Sequence, residues 1–159
     1  MRGQSSMAWR LPCVLFALAC ASPACAGGAA LEVRGADGTL AVHRSIDEGA
    51  RWCLLWNHSV AGFTVRDCFV WSSGQLVLEH SHQPDFAAGL GHIPGRGVMR
   101  SDAAGGYRIE HIDQPIADNA LRLRVGSVAV DHRIEIDGAV HSLSRQLAGR
   151  AAVMRIIEQ

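Results

Sequence analysis

The chain has 159 residues, and its 15 arginines, with no lysine, balance 15 acidic residues to a formal net charge of zero. A near-neutral chain with scattered arginines lacks the basic surface of a nucleic-acid-binding protein and the polybasic cluster of a membrane-surface protein. It also contains no phosphate-loop motif and no G-x-S-x-G nucleophile turn, so it lacks the sequence signatures of phosphate-loop nucleotide-binding proteins and of serine hydrolases with that turn.

The first 26 residues have the pattern of a secretory signal peptide. Arg2 and Arg10 flank the start of an apolar run at residues 11–20, and residues 24–26 (Ala-Cys-Ala) supply the small side chains that a signal peptidase recognises. The run is too short to span a bilayer, and no later apolar stretch is long enough. We therefore expect cleavage near Ala26 and a mature chain that is periplasmic or otherwise extracytoplasmic. A lipid anchor at Cys20 is the alternative.

Residues 27–159 show period-two hydrophobic alternation interrupted by turn signals. The segments predicted as strands are 31–34, 40–44, 52–60, 65–71, 76–82, 107–112, 121–125, 128–136, 139–143 and 151–157. Asp37-Gly38 and Asp137-Gly138 are typical hairpin turns. The sequence therefore predicts a single all-β domain over residues 27–159, an antiparallel β-sandwich or flattened barrel of about nine or ten strands.

The segment 84–97 breaks this alternation. It contains four glycines together with the apolar residues Phe86, Leu90 and Ile93. This composition predicts a long loop, either a surface crossover between sheets or a functional lid or docking loop.

Three consecutive strands are predicted to place polar side chains on one otherwise apolar inner face. A four-residue loop after strand 52–60 would put His58 opposite Asp67, and a two-residue loop would make them diagonal neighbours. A two-residue turn at Ser73-Gly74 would put Asp67 opposite His80. We therefore expect a row formed by His58, Asp67 and His80, with His82 one step further along the strand.

Three interpretations of this row remain open. It is a buried, mutually hydrogen-bonded polar cluster, or a ligand pocket at an open end of the barrel, or a metal site. Two imidazoles and a carboxylate suit Zn²⁺ or Fe²⁺. In each case the carboxylate of Asp67 would hold a neighbouring imidazole in one tautomer.

The same register bears on the two cysteines that remain after signal cleavage. It places Cys53 opposite Ser72 and Cys68 opposite Asn57, which separates the two thiols by four positions, or about 13 Å at the strand rise. A disulfide requires Cα atoms within about 7 Å. The sequence therefore predicts two unpaired thiols.

Several segments match the motifs of a known family, with Asp67, Thr64 and Ala87 standing where the family usually has Glu, Pro and Gly. The matching residues are His58-Ser59-Val60, Val65, Asp67, Phe69, Phe86-Ala87-Ala88-Gly89-Leu90, Leu123-Arg124-Val125-Gly126 and His132. On these residues the chain resembles a small exported bacterial family of unknown function that is encoded beside TAXI-type TRAP transporters.

The resemblance implies a transporter-associated context rather than a reaction. We accordingly expect an extracytoplasmic accessory or ligand-binding protein of a TRAP-type solute uptake system, with transporter subunits as partners. The residues expected to bind the ligand or partner are His58, Ser59, Asp67, Phe86, Gly89, Leu90 and His132. The alternative is a small metal-binding protein or metalloenzyme that holds Zn or Fe with His58, Asp67 and His80.

Overall fold

The structure, a computed structural model, describes residues 28–60, 62–84, 93–103 and 105–159. The predicted signal peptide and the predicted binding residues Phe86, Gly89 and Leu90 lie outside these residues. The described strands are β1 (Ala29–Gly35), β2 (Leu40–Ile46), β3 (Arg51–Asn57), β4 (Thr64–Ser72), β5 (Gln75–Gln83), β6 (Val98–Ser101), β7 (Tyr107–Glu110), β8 (Gln114–Pro115), β9 (Ala120–Arg124), β10 (Arg133–Ile136), β11 (Ala139–Ser142) and β12 (Ala151–Glu158).

The strands form two antiparallel sheets, and the predicted all-β class is confirmed. The four-stranded sheet has the order β2-β1-β12-β9. The eight-stranded sheet has the order β11-β10-β3-β4-β5-β7-β6, with β8 also paired to β5. A 3-10 helix (Ala117–Asn119) precedes β9, and a one-turn helix, α1 (Ser144–Leu147), precedes β12. Within the described residues, no helix is long and apolar enough to cross a membrane.

One hydrophobic core lies between the two sheets. Leu31 and Met154 of the four-stranded sheet belong to the same buried cluster as Trp52, Phe69 and other residues of the eight-stranded sheet. The rings of Trp52 and Phe69 stack with their centroids 6.3 Å apart. Alternate residues are buried in strands such as β5, β10 and β12, which matches the period-two pattern of the sequence, and the two sheets pack as a sandwich.

Two-residue hairpins form at Asp137-Gly138 and at Ser73-Gly74, whereas Asp37-Gly38 lies within a longer connection, residues 36–39, between β1 and β2. Asp137 and Gly138 both have positive φ, 51° and 73°, as the type I′ turn between β10 and β11 requires. Ser73 and Gly74 have φ of 52° and 74° and join β4 to β5. The predicted pairing of Trp71 with Leu76 is therefore confirmed.

The predicted register between β3 and β4 is wrong by four residues. β3 ends at Asn57 rather than at residue 60, because His58 turns the chain: its backbone N–H donates to the Phe63 carbonyl oxygen at 2.7 Å. The rings of His58 and Phe63 also stack, with centroids 5.2 Å apart. As a result Asp67 lies opposite Leu54, not opposite His58.

The same shift brings the two cysteines together. Cys53 pairs directly with Cys68, and the two residues form a disulfide with their Cα atoms 4.1 Å apart. The prediction of two unpaired thiols is therefore wrong, and its error follows entirely from the register.

A β-bulge in β5 overturns the second half of the predicted row. Leu78 pairs with Phe69, and His80 pairs with the next residue, Cys68. Glu79 is therefore an extra residue in β5. The extra residue reverses the alternation, so His80 shares the outer face with the disulfide and Ser81 takes the place opposite Asp67. The predicted row of His58, Asp67 and His80 is not formed.

Candidate functional site

The outer face of the eight-stranded sheet carries two adjacent rows of side chains. The first row crosses four strands, β10, β3, β4 and β5, and consists of directly paired residues: Glu135, Cys53, Cys68 and His80. The second row runs through Arg66 of β4, His82 of β5 and Arg108 of β7. Residues directly opposite each other in antiparallel strands share a face, so both rows lie on one surface.

These rows form the wall and floor of a cleft of about 570 Å³, with the disulfide lying across its base. The cleft is lined by Arg51, Trp52, Cys53, Arg66, Cys68, Glu79, His80, His82, Asp102, Arg108, Glu135, Ile136, Asp137 and Gly138. We call this feature the disulfide cleft. The covalent link between β3 and β4 fixes the spacing of the strands that carry its central residues.

Each of the three arginines in the disulfide cleft has an acidic partner. Arg66 contacts Glu135 at 3.0 Å, Arg108 contacts Asp102 at 3.1 Å, and a third pair joins Arg51 to Glu79 at 3.1 Å. The three arginine side chains are 40–63 % exposed. Exposed ion pairs of this kind contribute about 0–1 kcal/mol to stability, so their main effect is to orient the charged groups.

Two histidines complete the cleft. Burial lowers the pKa of His80, Glu79 opposes that effect, and the charge of Arg108 adds to it. His80 is therefore neutral at pH 7 and can both donate and accept a hydrogen bond. His82 lies with its Nε2 atom 3.6 Å from the Asp102 carboxylate. The cleft thus presents fixed charges of both signs and a neutral imidazole.

Asp67, the predicted centre of the row, belongs to a different polar group on the inner face. The Ser81 hydroxyl donates to Asp67 Oδ1 at 2.6 Å, and Gln83 Nε2 donates to Ser81 Oγ at 3.2 Å. The Tyr107 hydroxyl donates to Gln83 Oε1 at 2.6 Å. Ser81, Gln83 and Tyr107 are all buried. This chain of hydrogen bonds is a buried, mutually satisfied cluster, the first of the three interpretations, but with partners other than histidine.

The environment of Asp67 opposes ionisation. Burial raises the pKa of Asp67, while the hydrogen bond from Ser81 and the charges of Arg96 and His80 lower it to a smaller extent. A carboxyl group in such a setting retains its proton at higher pH than an exposed aspartate.

The other predicted residues lie apart from Asp67. His58 and Ser59 lie in the turn that follows β3, where His58 Nδ1 accepts a hydrogen bond from the Val60 N–H at 3.3 Å. His132 stacks on Trp56 with ring centroids 5.9 Å apart. No described element brings His58, Asp67 and His132 together, and their role in binding stays a prediction.

His132, which directly precedes β10, links three segments of the chain. Its Nδ1 atom accepts a hydrogen bond from the Gly126 N–H at 3.0 Å, and its backbone N–H donates to Ser144 Oγ at 2.9 Å. The Ser144 hydroxyl in turn donates to the Gly126 carbonyl oxygen at 3.0 Å. These contacts give His132 a structural role.

A metal site is not supported by the positions of the predicted ligands. His58 is in a turn, Asp67 faces the core and His80 faces outward. Among the residues that the structure describes, no group of three or more histidine, cysteine, aspartate or glutamate side chains is placed to hold a metal ion.

Sequence reasoning missed the disulfide cleft because it set β3 four residues out of register with β4 and assumed unbroken alternation in β5. One signal was available: Arg66 and Cys68 share the face of β4 opposite to the buried Val65 and Phe69, which places a charged side chain on the outer face. No such signal marked Ser81, Gln83 and Tyr107, because the hydrogen bonds that join them to Asp67 depend on the bulge in β5.

Comparison with known proteins gives one match. The sequence model of a family described as a domain of unknown function, DUF1850, matches residues 53–143, which is more than half of the chain. Searches of the curated proteins and of the solved structures found no significant match.

Proposed function

Because the chain belongs to the DUF1850 family of domains of unknown function, we propose its role from its surface chemistry: it is an extracytoplasmic accessory protein that binds a subunit of a TRAP-type (TAXI) solute uptake transporter through the disulfide cleft. The observation that carries this proposal is the cleft itself. It is an open depression whose charged side chains are held in ion pairs, and the disulfide-bonded Cys53 and Cys68 are among its lining residues.

Two independent features support the proposed extracytoplasmic compartment. Residues 1–26 have the pattern of a secretory signal peptide. The Cys53–Cys68 disulfide is of the kind that forms and persists in oxidising compartments such as the bacterial periplasm. An exported chain with a stable disulfide is suited to work beside the extracytoplasmic side of a transporter.

The form of the cleft favours a protein partner over a small solute. Small-molecule pockets are predominantly apolar and bury most of their ligand. Three of the residues that line the disulfide cleft are exposed arginines, each paired with an acid, so a bound molecule would meet charges at an open surface. Such alternating charges give an interface its orientation and its selectivity for a complementary partner. The resemblance to a family encoded beside TAXI-type transporters supplies the class of partner.

The test is affinity capture of the tagged, exported chain from its native envelope in mild detergent, with the co-purifying proteins identified by mass spectrometry. Wild type is compared with Arg66→Ala, which removes one of the charges that line the cleft. Arg145→Ala is the matched control, since Arg145 is an exposed arginine of α1 outside the cleft. Melting temperatures establish that each variant is folded.

We expect a TRAP membrane subunit or its substrate-binding protein to co-purify with wild type and with Arg145→Ala, and to be depleted with Arg66→Ala. Equal recovery with both variants would exclude the cleft as the binding surface. Absence of any TRAP component in the wild-type sample would refute the accessory role.

A further inference from the structure

The outer face of the four-stranded sheet carries a concentration of arginines that the proposed function does not use. Leu31, Met154 and Leu123 pack against the core, so the residues that alternate with them point outward. The outward side chains of β1, β12 and β9 include Glu32, Arg34, Ala151, Val153, Arg155, Arg122 and Arg124.

The strand register brings these arginines together. Val153 of β12 pairs with Arg34 of β1 on one side and with Arg122 of β9 on the other. Arg124 pairs with Ala151 in the next row. One arginine therefore lies on each side of Val153, and Arg124 lies two residues further along the edge strand β9.

Glu32 fixes two of the guanidinium groups. Arg34 contacts Glu32 Oε2 at 2.7 Å, and Arg155 contacts Glu32 Oε1 at 2.8 Å. The hydrogen bond from Arg34 is the largest influence that lowers the pKa of Glu32, to about 2, so the carboxylate is ionised at all ordinary pH values. A single carboxylate faces four arginines, which leaves this surface positively charged.

The four arginines line a cleft of about 530 Å³. Its described lining includes four arginines (Arg34, Arg122, Arg124 and Arg155) and no aspartate or glutamate, and its other lining residues are Gly35, Ala36, Leu123, Ala151, Ala152 and Val153. Arg122 and Arg124 are exposed at the edge of the sheet. We call this feature the arginine cleft. It combines apolar lining residues with four cationic side chains.

We propose that the arginine cleft binds a small organic anion, a molecule with a carboxylate or phosphate group on a short apolar body. Guanidinium groups bind both anions through paired, charge-assisted N–H···O hydrogen bonds. Arg122 and Arg124 hold the anionic group, because the carboxylate of Glu32 already occupies Arg34 and Arg155. The apolar body covers Val153 and Ala151. This site lies on the opposite sheet from the disulfide cleft and does not depend on the proposed transporter role.

The test titrates the mature chain with octyl phosphate and with inorganic phosphate by calorimetry. The Arg122→Ala/Arg124→Ala double variant removes the proposed anion contacts, and Arg145→Ala is the control for loss of an exposed arginine. Amide chemical shifts map the binding site, and a thermal melt establishes that the double variant is folded. Vesicles of phosphatidylglycerol distinguish a free anion from a lipid surface.

We expect octyl phosphate to bind wild type and Arg145→Ala more tightly than inorganic phosphate does, and to shift the amides of residues 151–155. Affinity should fall by about tenfold or more in the double variant. Three results would each overturn the proposal: unchanged affinity in the double variant, chemical-shift changes confined to the eight-stranded sheet, or binding to vesicles alone. In those cases the arginines serve to keep the edge strand β9 from pairing with other chains.

Discussion

Cys53 lies directly opposite Cys68 on the neighbouring strand, and their disulfide spans the base of a cleft lined by charged side chains and two histidines. The bond closes a short segment, since the two residues are 15 positions apart in sequence. It joins the two central strands of the eight-stranded sheet at the point where His80 and Glu135 flank them.

Removing this disulfide is expected to destabilise the domain substantially. In the chain-entropy description, a crosslink that closes a loop of about 15 residues contributes about 3 kcal/mol. The Cys53→Ser/Cys68→Ser double variant should therefore lose about that amount in urea unfolding. A reducing agent should produce a similar loss in wild type and none in the variant. Equal stability of oxidised and reduced wild type would contradict the assignment.

Replacing Asp67 with asparagine should stabilise the domain at pH 7. Because burial raises the pKa of Asp67, its ionisation opposes folding, and stability falls as the pH rises from the unfolded-state value of about 4 through the folded-state value. Asparagine keeps an oxygen that accepts the Ser81 hydrogen bond and carries no charge. The melting temperature of Asp67→Asn should exceed that of wild type at pH 7, and the difference should shrink toward pH 4.

A second variant, Ser81→Ala, tests the same hydrogen-bonded cluster by removing the hydroxyl group that donates to Asp67. It deprives Asp67 of its donor and Gln83 Nε2 of its acceptor, so it should cost about 1–3 kcal/mol. If Asp67→Asn and Ser81→Ala both left stability unchanged, the buried hydrogen-bond chain would have no energetic role.

The sequence was sufficient for those features that local chemistry determines. The Asp137-Gly138 and Ser73-Gly74 turns need residues that tolerate positive φ, and both hairpins form there. The alternation of Trp52, Leu54 and Phe69 identified the core face correctly. Turn dipeptides and apolar alternation act over a few residues, which is why single-sequence reasoning captures them.

The site depended on two departures from regular pairing that have no periodic signature. The turn at His58 is set by a backbone hydrogen bond and a ring contact with Phe63, and nothing in the composition of residues 58–63 requires the strand to end there. The bulge at Glu79 inserts one residue and moves His80 and His82 to the outer face. One such residue reverses every later side chain in a strand.

Acidification should weaken the structure around His132. Burial is the main cause of the lowered pKa of His132, and its Nδ1 atom accepts a hydrogen bond from Gly126. The unfolded chain binds this proton more readily, so the contribution of His132 to stability is complete above pH 6.5 and is lost as the pH falls below it. His132→Asn keeps an acceptor and cannot titrate in this range.

The measurement is the unfolding free energy of wild type and His132→Asn between pH 5 and 8. The variant should be less stable at pH 8, because it loses the ring contact with Trp56, and its stability should fall less toward pH 5. Parallel pH profiles would show that His132 does not titrate on unfolding.

Glu32→Gln should destabilise the four-stranded sheet. The change leaves Arg34 and Arg155 without their shared carboxylate, which is almost completely buried. We expect a loss of about 1–3 kcal/mol at pH 7. In wild type this contribution is present above the unfolded-state pKa of Glu and is lost as the pH falls toward about 2. Acid titration of both proteins, followed by circular dichroism, should show a smaller acid-induced change in the variant.

Site-specific photo-crosslinking in the native envelope tests most directly whether the disulfide cleft is a binding surface. A photoreactive amino acid replaces Arg51, whose exposed side chain lies at the rim of the cleft, or Arg145, which lies outside it. We predict a crosslink from position 51 to a TRAP transporter subunit and none from position 145. Crosslinks to that subunit from position 145 alone, or from neither position, would contradict the account.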